Sequence, residues 1–348
     1  MREAPSRDRS KLLPFAVAAL CLIFVWLALR HYSSFDWGRF AQTFKILRPG
    51  WFLLGFALST ASFLGRGVRW QVMMLPARSS FWRVAFATYV GFSAVVMFGR
   101  AGELVRPYLI ARNEKTQLAA QAGFWVLERF YDFFAVLLLF GIGIIRARQL
   151  GIGVSPRMEL VLHIGGWIAI GSALLAGIVF YLMAHKPGFC RQRLNDAASL
   201  LPAEHHARFL RSLDSFLSAV RPASQWPNLL KSLALTAAVW AMILGAVWSY
   251  FHAFPPASSF STLDIATYLG FTAFGAILQL PGIGGGMQIA SVVILTELFR
   301  MPVEQAIGFS LFVWAGTTIV VLPFGVPLAL DAGLTLRKLR GMGREASL

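Results

Sequence analysis

The sequence predicts an all-α, polytopic membrane protein, with about six full spans and two re-entrant or broken helical hairpins. Three observations carry this. Hydrophobic residues make up 57% of the 348 residues and charged residues only 14%, with a mean hydropathy of +0.63; a soluble domain carries about 25% charged residues. Apolar runs of near-spanning length, about 20 residues, recur along the chain. Eleven tryptophans suit the belts at the two membrane interfaces. The net charge of +16 sits largely at the ends of apolar runs. That placement fits cytoplasmic loops and anionic lipid headgroups, and no nucleic-acid partner is expected.

The first apolar run, Leu12–Leu29, follows Arg2, Arg7, Arg9 and Lys11 and leads into Arg30-His31-Tyr32. No small-residue cleavage site follows, so it reads as a retained first helix with a cytoplasmic N-terminus. Further spans are expected at Trp51–Gly65, Leu118–Ile145, Leu160–Ala184, Ser232–Phe251 and Glu304–Leu330. Two regions are long enough but interrupted: Val84–Ala111, broken at Gly99–Pro107, and Thr262–Phe299, broken at Pro281–Gly286. Glycine and proline at these places stop a continuous helix, which leaves two half-length limbs in each region. Cys21 and Cys190 fall in different environments, so neither a disulfide framework nor a metal site is expected.

If both interrupted regions return to the face they entered, the N-terminus, 66–83, 112–117, 185–231 and the C-terminal tail share the cytoplasmic face. The segment His252–Ser261, without Lys or Arg, then falls outside. Arg30, Arg39, Lys45 and Arg48, and later Arg146, Arg148 and Arg157, run against this order. The two interruptions occupy matching places, Gly99 and Pro281 lying 182 residues apart (281 minus 99). The same shift carries Trp51–Gly65 into Ser232–Phe251, and Leu118–Ile145 close to Glu304–Leu330. The whole chain, 1–348, therefore reads as one transmembrane domain, with 51–145 and 232–330 as candidate halves of an inverted repeat. Paired Gly/Pro-interrupted segments in two halves point to a transporter binding site; similar hydropathy also recurs by chance in multi-span chains. Between the halves, 189–221 reads as a cytoplasmic amphipathic linker. Phe209, Leu210, Leu213, Phe216, Leu217 and Val220 share one helical face, which suits either anionic lipid or the bundle itself.

The charges inside apolar stretches carry the chemistry. Leu118–Ile145 holds Glu128, Arg129 and Asp132 near its middle. Its fifteen Leu, Ile, Phe and Val residues contribute about −5 to −9 kcal/mol to insertion, against about +8 to +10 kcal/mol for three central charges. The cluster must face protein or water. Glu128 and Asp132 share a helix face, where like charges repel, so a cation belongs beside them. Arg100 and Arg106, from Gly99-Arg100-Ala101-Gly102-Glu103-Leu104-Val105-Arg106-Pro107, are the nearest candidates. Two readings stay open: the arginines pair with Glu128 and Asp132 to hold the hairpin, or one also binds an anionic headgroup, since guanidinium matches phosphate. In Pro281-Gly282-Ile283-Gly284-Gly285-Gly286-Met287-Gln288 the glycines allow either close approach to a ligand or close helix packing. No nucleophile elbow, dinucleotide fingerprint or nucleotide-binding loop appears. No catalytic residue, metal or cofactor is expected.

At these residues the chain resembles the lysylphosphatidylglycerol synthase transmembrane-region family of flippase-like membrane proteins. The resemblance rests on Gly99-Arg100-Ala101-Gly102-Glu103 with Arg106, on Glu128-Arg129 with Asp132, and on Pro281-Gly282 with Gly285-Gly286, and it spans roughly Trp51 to Leu330. Members with synthase activity carry a soluble aminoacyl-transfer domain after the membrane part. This chain stops at Leu348, so a synthase is not expected. Ile283-Gly284 replaces the family's usual Gly-Leu pair, and Gln288 stands where the family often has a glutamate, which puts proton coupling in doubt if that glutamate carries protons in relatives.

The resemblance implies lipid translocation across a bacterial-type cytoplasmic membrane, with a phospholipid or lipid-linked substrate. The expected binding residues are Arg100, Glu103, Arg106, Glu128, Arg129, Asp132, Pro281, Gly282, Gly285, Gly286 and Gln288. Arg100 and Arg106 would hold the phosphate, Glu103, Glu128 and Asp132 would balance them, and the Pro281–Gly286 backbone would line the other wall. The alternative function is a non-catalytic partner or scaffold of a separately encoded lipid- or glycosyl-transferase. A membrane-embedded transferase is the third reading.

Overall fold

The structure, a computed structural model, describes residues 36–75, 79–149, 156–198, 202–223, 225–276 and 285–331. Among the described residues every regular element is helical. The expected span Leu12–Leu29, the pair Pro281-Gly282 and the C-terminal tail lie outside them. The elements are α1 (Trp37–Lys45), α2 (Pro49–Met73), α3 (Phe81–Phe98), a 3-10 turn (Gly99–Leu104), α4 (Val105–Asn113), α5 (Leu118–Gln149) and α6 (Pro156–His185). Then follow α7 (Pro187–Ala198), α8 (Ala203–Ala223), α9 (Trp226–Ala253), α10 (Thr262–Gly275), α11 (Gly286–Val293), running into a π-helical turn (Ile294–Leu298), and α12 (Val303–Asp331).

Among the described residues, six helices are long and apolar enough to cross a membrane: α2, α3, α5, α6, α9 and α12. Several outrun their apolar windows. Both α2 and α9 open on a proline in the first turn, Pro49 and Pro227, where the missing N–H and fixed φ cost nothing. At its other end α2 continues two turns past Gly65 to Met73. The segment 66–73, expected in a loop, is therefore the end of a transmembrane helix. Arg69 and Trp70 are fully buried there, which hydropathy alone disfavours and partners on other helices permit.

Both interrupted regions are helical hairpins. The first breaks at Gly99, whose φ of 62° suits a residue without Cβ. The 3-10 turn then leads directly into α4. Pro107, expected to lie within the break, is the third residue of α4, in the first turn where its N–H would lack a partner anyway. The feet of the hairpin stand together: Ser80 N–H donates to Glu114 Oε1 at 3.3 Å, and Arg83 Nη1 to the Asn113 carbonyl at 3.1 Å. The chain thus leaves on the side it entered. In the second hairpin the ring of Phe260, before α10, lies 5.0 Å from that of Phe299, after α11. Its limbs touch at Gly275, where a Cβ would come within 2.7 Å of the Gly286 carbonyl oxygen.

The long helix α5 fixes how the two hairpins relate. Its N-terminal end adjoins the feet of the first hairpin, three residues after Lys115. Near its other end Arg146 Nε meets Asp264 Oδ1 of α10 at 2.9 Å. The hairpins therefore open at opposite ends of α5. The Arg48 N–H donates to the Ala253 carbonyl at 2.9 Å, which places the start of α2 beside the end of α9. These helices pack along one another, α10 packs on α5, and α3 packs on α12. Two buried clusters result, one around each hairpin.

The linker forms two helices, α7 and α8. The apolar face of α8 lies on α5: Leu213, Leu217 and Val220 are buried, and a Cβ on Gly123 would meet the Phe216 carbonyl at 3.0 Å. Of the two surfaces open to this face, the bundle takes it. Outside the spans, Arg191 Nε of α7 meets Asp214 Oδ1 of α8 at 2.6 Å and holds that carboxyl below its usual range. At the periphery, α6 exposes Trp167, Ile168, Leu174, Leu175 and Ile178, the apolar coat of a lipid-facing helix.

Candidate functional site

Three helices, α2, α4 and α9, converge on the two carboxylates of α5. Glu128 and Asp132 lie ten and fourteen residues into that helix, about 15–21 Å along its axis. Arg69 of α2 sits between them: its Nη2 donates to Glu128 Oε1 at 2.7 Å and its Nη1 to Asp132 Oδ1 at 2.8 Å. The same Nη1 reaches Thr236 Oγ1 of α9 at 2.9 Å. Arg106 of α4 donates through Nη1 to both oxygens of Glu128, at 2.8 and 3.1 Å, and through Nη2 to the Arg66 carbonyl at 3.1 Å. Arg66 Nη1 takes Asp132 Oδ2 at 3.0 Å. Trp240 Nε1 of α9 adds a 3.3 Å bond to Asp132 Oδ1.

Local sequence explains how these groups reach one another. Glu128 and Asp132 stack one turn apart on α5. Arg66 and Arg69 stand three apart on α2 and share a face in the same way. Arg106 comes close because Gly91 of α3 has no side chain; a Cβ there would lie 2.5 Å from Arg106 Cβ. The Trp70 ring covers the Arg106 guanidinium at 4.2 Å, a cation–π contact strengthened by desolvation. Trp70 is oriented by its own Nε1, which donates to Gln121 Oε1 at 2.8 Å.

Arg129 differs from the others. Its Nη2 lies 3.8 Å from Glu128 Oε2 and 3.7 Å from Asp132 Oδ2, beyond hydrogen-bond length, and its side chain is 38% exposed. Its Nε is buried without a hydrogen-bond partner, as are those of Arg69 and Arg106, so the missing Nη bonds are what set it apart. The cluster thus has a closed side, where Arg69 and Arg106 occupy the carboxylates, and an open side formed by Arg129 and the partly exposed Arg66.

Of the expected residues, Arg106, Glu128, Arg129 and Asp132 come together. Glu103 lies in the 3-10 turn at the hairpin tip, as does Arg100, whose side chain is outside the described residues. Gly285, with φ of 60°, caps α11 and Gly286 begins it. Gln288 stands in the first turn of α11, its Oε1 buried without a partner. Each hairpin packs on a long helix of the other half, α3 on α12 and α10 on α5. Sequence reasoning missed Arg66 and Arg69. Their signal was present as two arginines three apart beside Trp70, but the apolar window ended at Gly65 and left them in a loop.

The fold and this site define a polytopic helical membrane protein with a buried arginine–carboxylate cluster between α2, α5 and the start of α4. Residues 12–325 match the family described as the lysylphosphatidylglycerol synthase TM region, and the chain belongs to that lipid-related membrane family. Comparison with curated proteins and with solved structures finds no match.

Proposed function

We propose that the protein carries an anionic lipid headgroup across the bilayer, as a flippase-like transporter, and that the open side of the arginine cluster is where the headgroup binds. The observation that supports this most is Arg129: a guanidinium in the middle of a transmembrane helix, with no hydrogen bond to the carboxylates beside it. Charges in such a place are costly and serve a site by default. Arg66 lends a second guanidinium edge, while Glu128, Asp132, Arg69 and Arg106 form the frame that holds both.

The opposed hairpins support an inverted repeat made of 51–145 and 232–330, the architecture in which one half rocks against the other around a central site. The face carrying the first hairpin's feet also carries Arg83, Arg112, Lys115, Lys186 and Arg191, which supports its being cytoplasmic. Proteoliposomes holding the full chain and labelled anionic phospholipids test the reading. Lipid should cross faster than in empty liposomes; equal rates across a panel of anionic lipids would reject it.

A further inference from the structure

We infer that the headgroup this site takes is doubly charged, a phosphate monoester or diphosphate end rather than a phosphodiester; this rests on the anionic-headgroup reading above. Charge and hydrogen-bond capacity carry the inference. Arg66, Arg69, Arg106 and Arg129 face Glu128 and Asp132, so four guanidiniums meet two carboxylates and two positive charges are in excess. From α9 the facing groups are Thr236 and Trp240, which carry no charge.

The carboxylates cannot absorb the excess, because they bring two negative charges against four positive ones, and three of each carboxylate's four lone-pair sites are already taken. Glu128 Oε1 accepts from Arg69 and Arg106, and its Oε2 from Arg106. Asp132 Oδ1 accepts from Arg69 and Trp240, and its Oδ2 from Arg66. Arg129 is left with contacts of 3.7 and 3.8 Å and no hydrogen bond to either carboxylate. An excess of positive charge beside a transmembrane site favours an anionic ligand. A phosphodiester brings one negative charge and leaves one positive charge unmatched. A phosphate monoester brings about −1.5 to −2 at neutral pH, with three strong acceptor oxygens, and closes the balance.

The test uses the full-length protein in nanodiscs of zwitterionic lipid. Phosphatidic acid, a monoester, competes against phosphatidylglycerol, a diester with the same acyl chains, and free inorganic phosphate forms a third arm. Phosphatidic acid should bind about tenfold tighter, since hydrogen bonds to charged groups are worth about a decade or more each. Arg129→Gln removes one excess charge and should bring the two lipids to within about twofold of each other, because the added contact is lost. Equal binding of the two lipids by the unaltered chain overturns the doubly charged headgroup and leaves the anionic-lipid reading standing. Binding of neither lipid overturns that reading itself. Free phosphate displacing phosphatidic acid at equal concentration keeps the doubly charged ligand and rejects a lipid as its source. The comparison on the unaltered chain decides the matter even where the variant fails to fold.

Discussion

Arg69 and Glu128 meet at 2.7 Å with both side chains fully buried, and this pair joins α2 to α5 at the depth where the candidate site opens. Truncating one partner leaves the other charge buried and uncompensated, at a cost of about 3–5 kcal/mol. Arg69→Ala should therefore lower stability by that order in a detergent-unfolding titration. Arg69→Lys should not rescue it, because one ammonium cannot span Glu128, Asp132 and Thr236 as the guanidinium fork does.

Arg129 should behave in the opposite way. With no hydrogen bond to either carboxylate, Arg129→Gln should change stability by less than about 1 kcal/mol, as for a weak, partly exposed ion pair. Headgroup binding should fall about tenfold, the loss of one charge-assisted contact. Unfolding and lipid binding measured on the same preparation separate the two arginines. Equal effects in both assays would contradict the division into a closed and an open side.

The hairpin tip depends on close backbone approach. A Cβ on Gly102 would lie 2.3 Å from the Ala94 carbonyl carbon and oxygen, while one on Gly141 would meet nothing within 4 Å. Gly102→Ala should destabilise by about 1–3 kcal/mol through overpacking. Gly141→Ala should leave the unfolding midpoint unchanged or raise it slightly, since alanine is the better helix former.

The opposed hairpins place their feet on opposite faces. In a chain with Cys21→Ser and Cys190→Ser, Arg112→Cys and Ser259→Cys, both exposed, should react with an impermeant thiol reagent from opposite sides of sealed vesicles. Labelling of both from one side would remove the inverted arrangement.

The contact between α7 and α8 should weaken in acid. The Asp214 carboxyl is held low chiefly by its hydrogen bond from Arg191, so this pairing is intact above the ordinary carboxylate pKa of about 4. It is lost as pH falls through the lower, folded value. Hydrogen exchange in 187–198 should rise below about pH 4 and should do so already at neutral pH in Asp214→Asn.

Much of this was legible in the sequence. Apolar length located α5, α6, α9 and α12, and the charges at Glu128 and Asp132 demanded a cation beside them. Gly99 and the glycines at 285–286 marked the two hairpins, because positive φ and close backbone contact are local requirements. Arg66 and Arg69 were not legible. A hydropathy window stops at the first charge, whereas α2 continues because carboxylates fifty-nine and more residues away offset its arginines. The same limit governs Arg106. Sequence could place it near the carboxylates, but only geometry shows it bonded to Glu128 and stacked on Trp70, with the neighbouring Arg129 left open.

The most direct measurement is the rate of anionic-lipid translocation in proteoliposomes by the unaltered chain and by Arg129→Gln, at matched incorporation and confirmed folding. Carriage of the headgroup on the open side of the cluster predicts that Arg129→Gln falls to a small fraction of the unaltered rate while remaining folded. An undiminished rate in Arg129→Gln would contradict it.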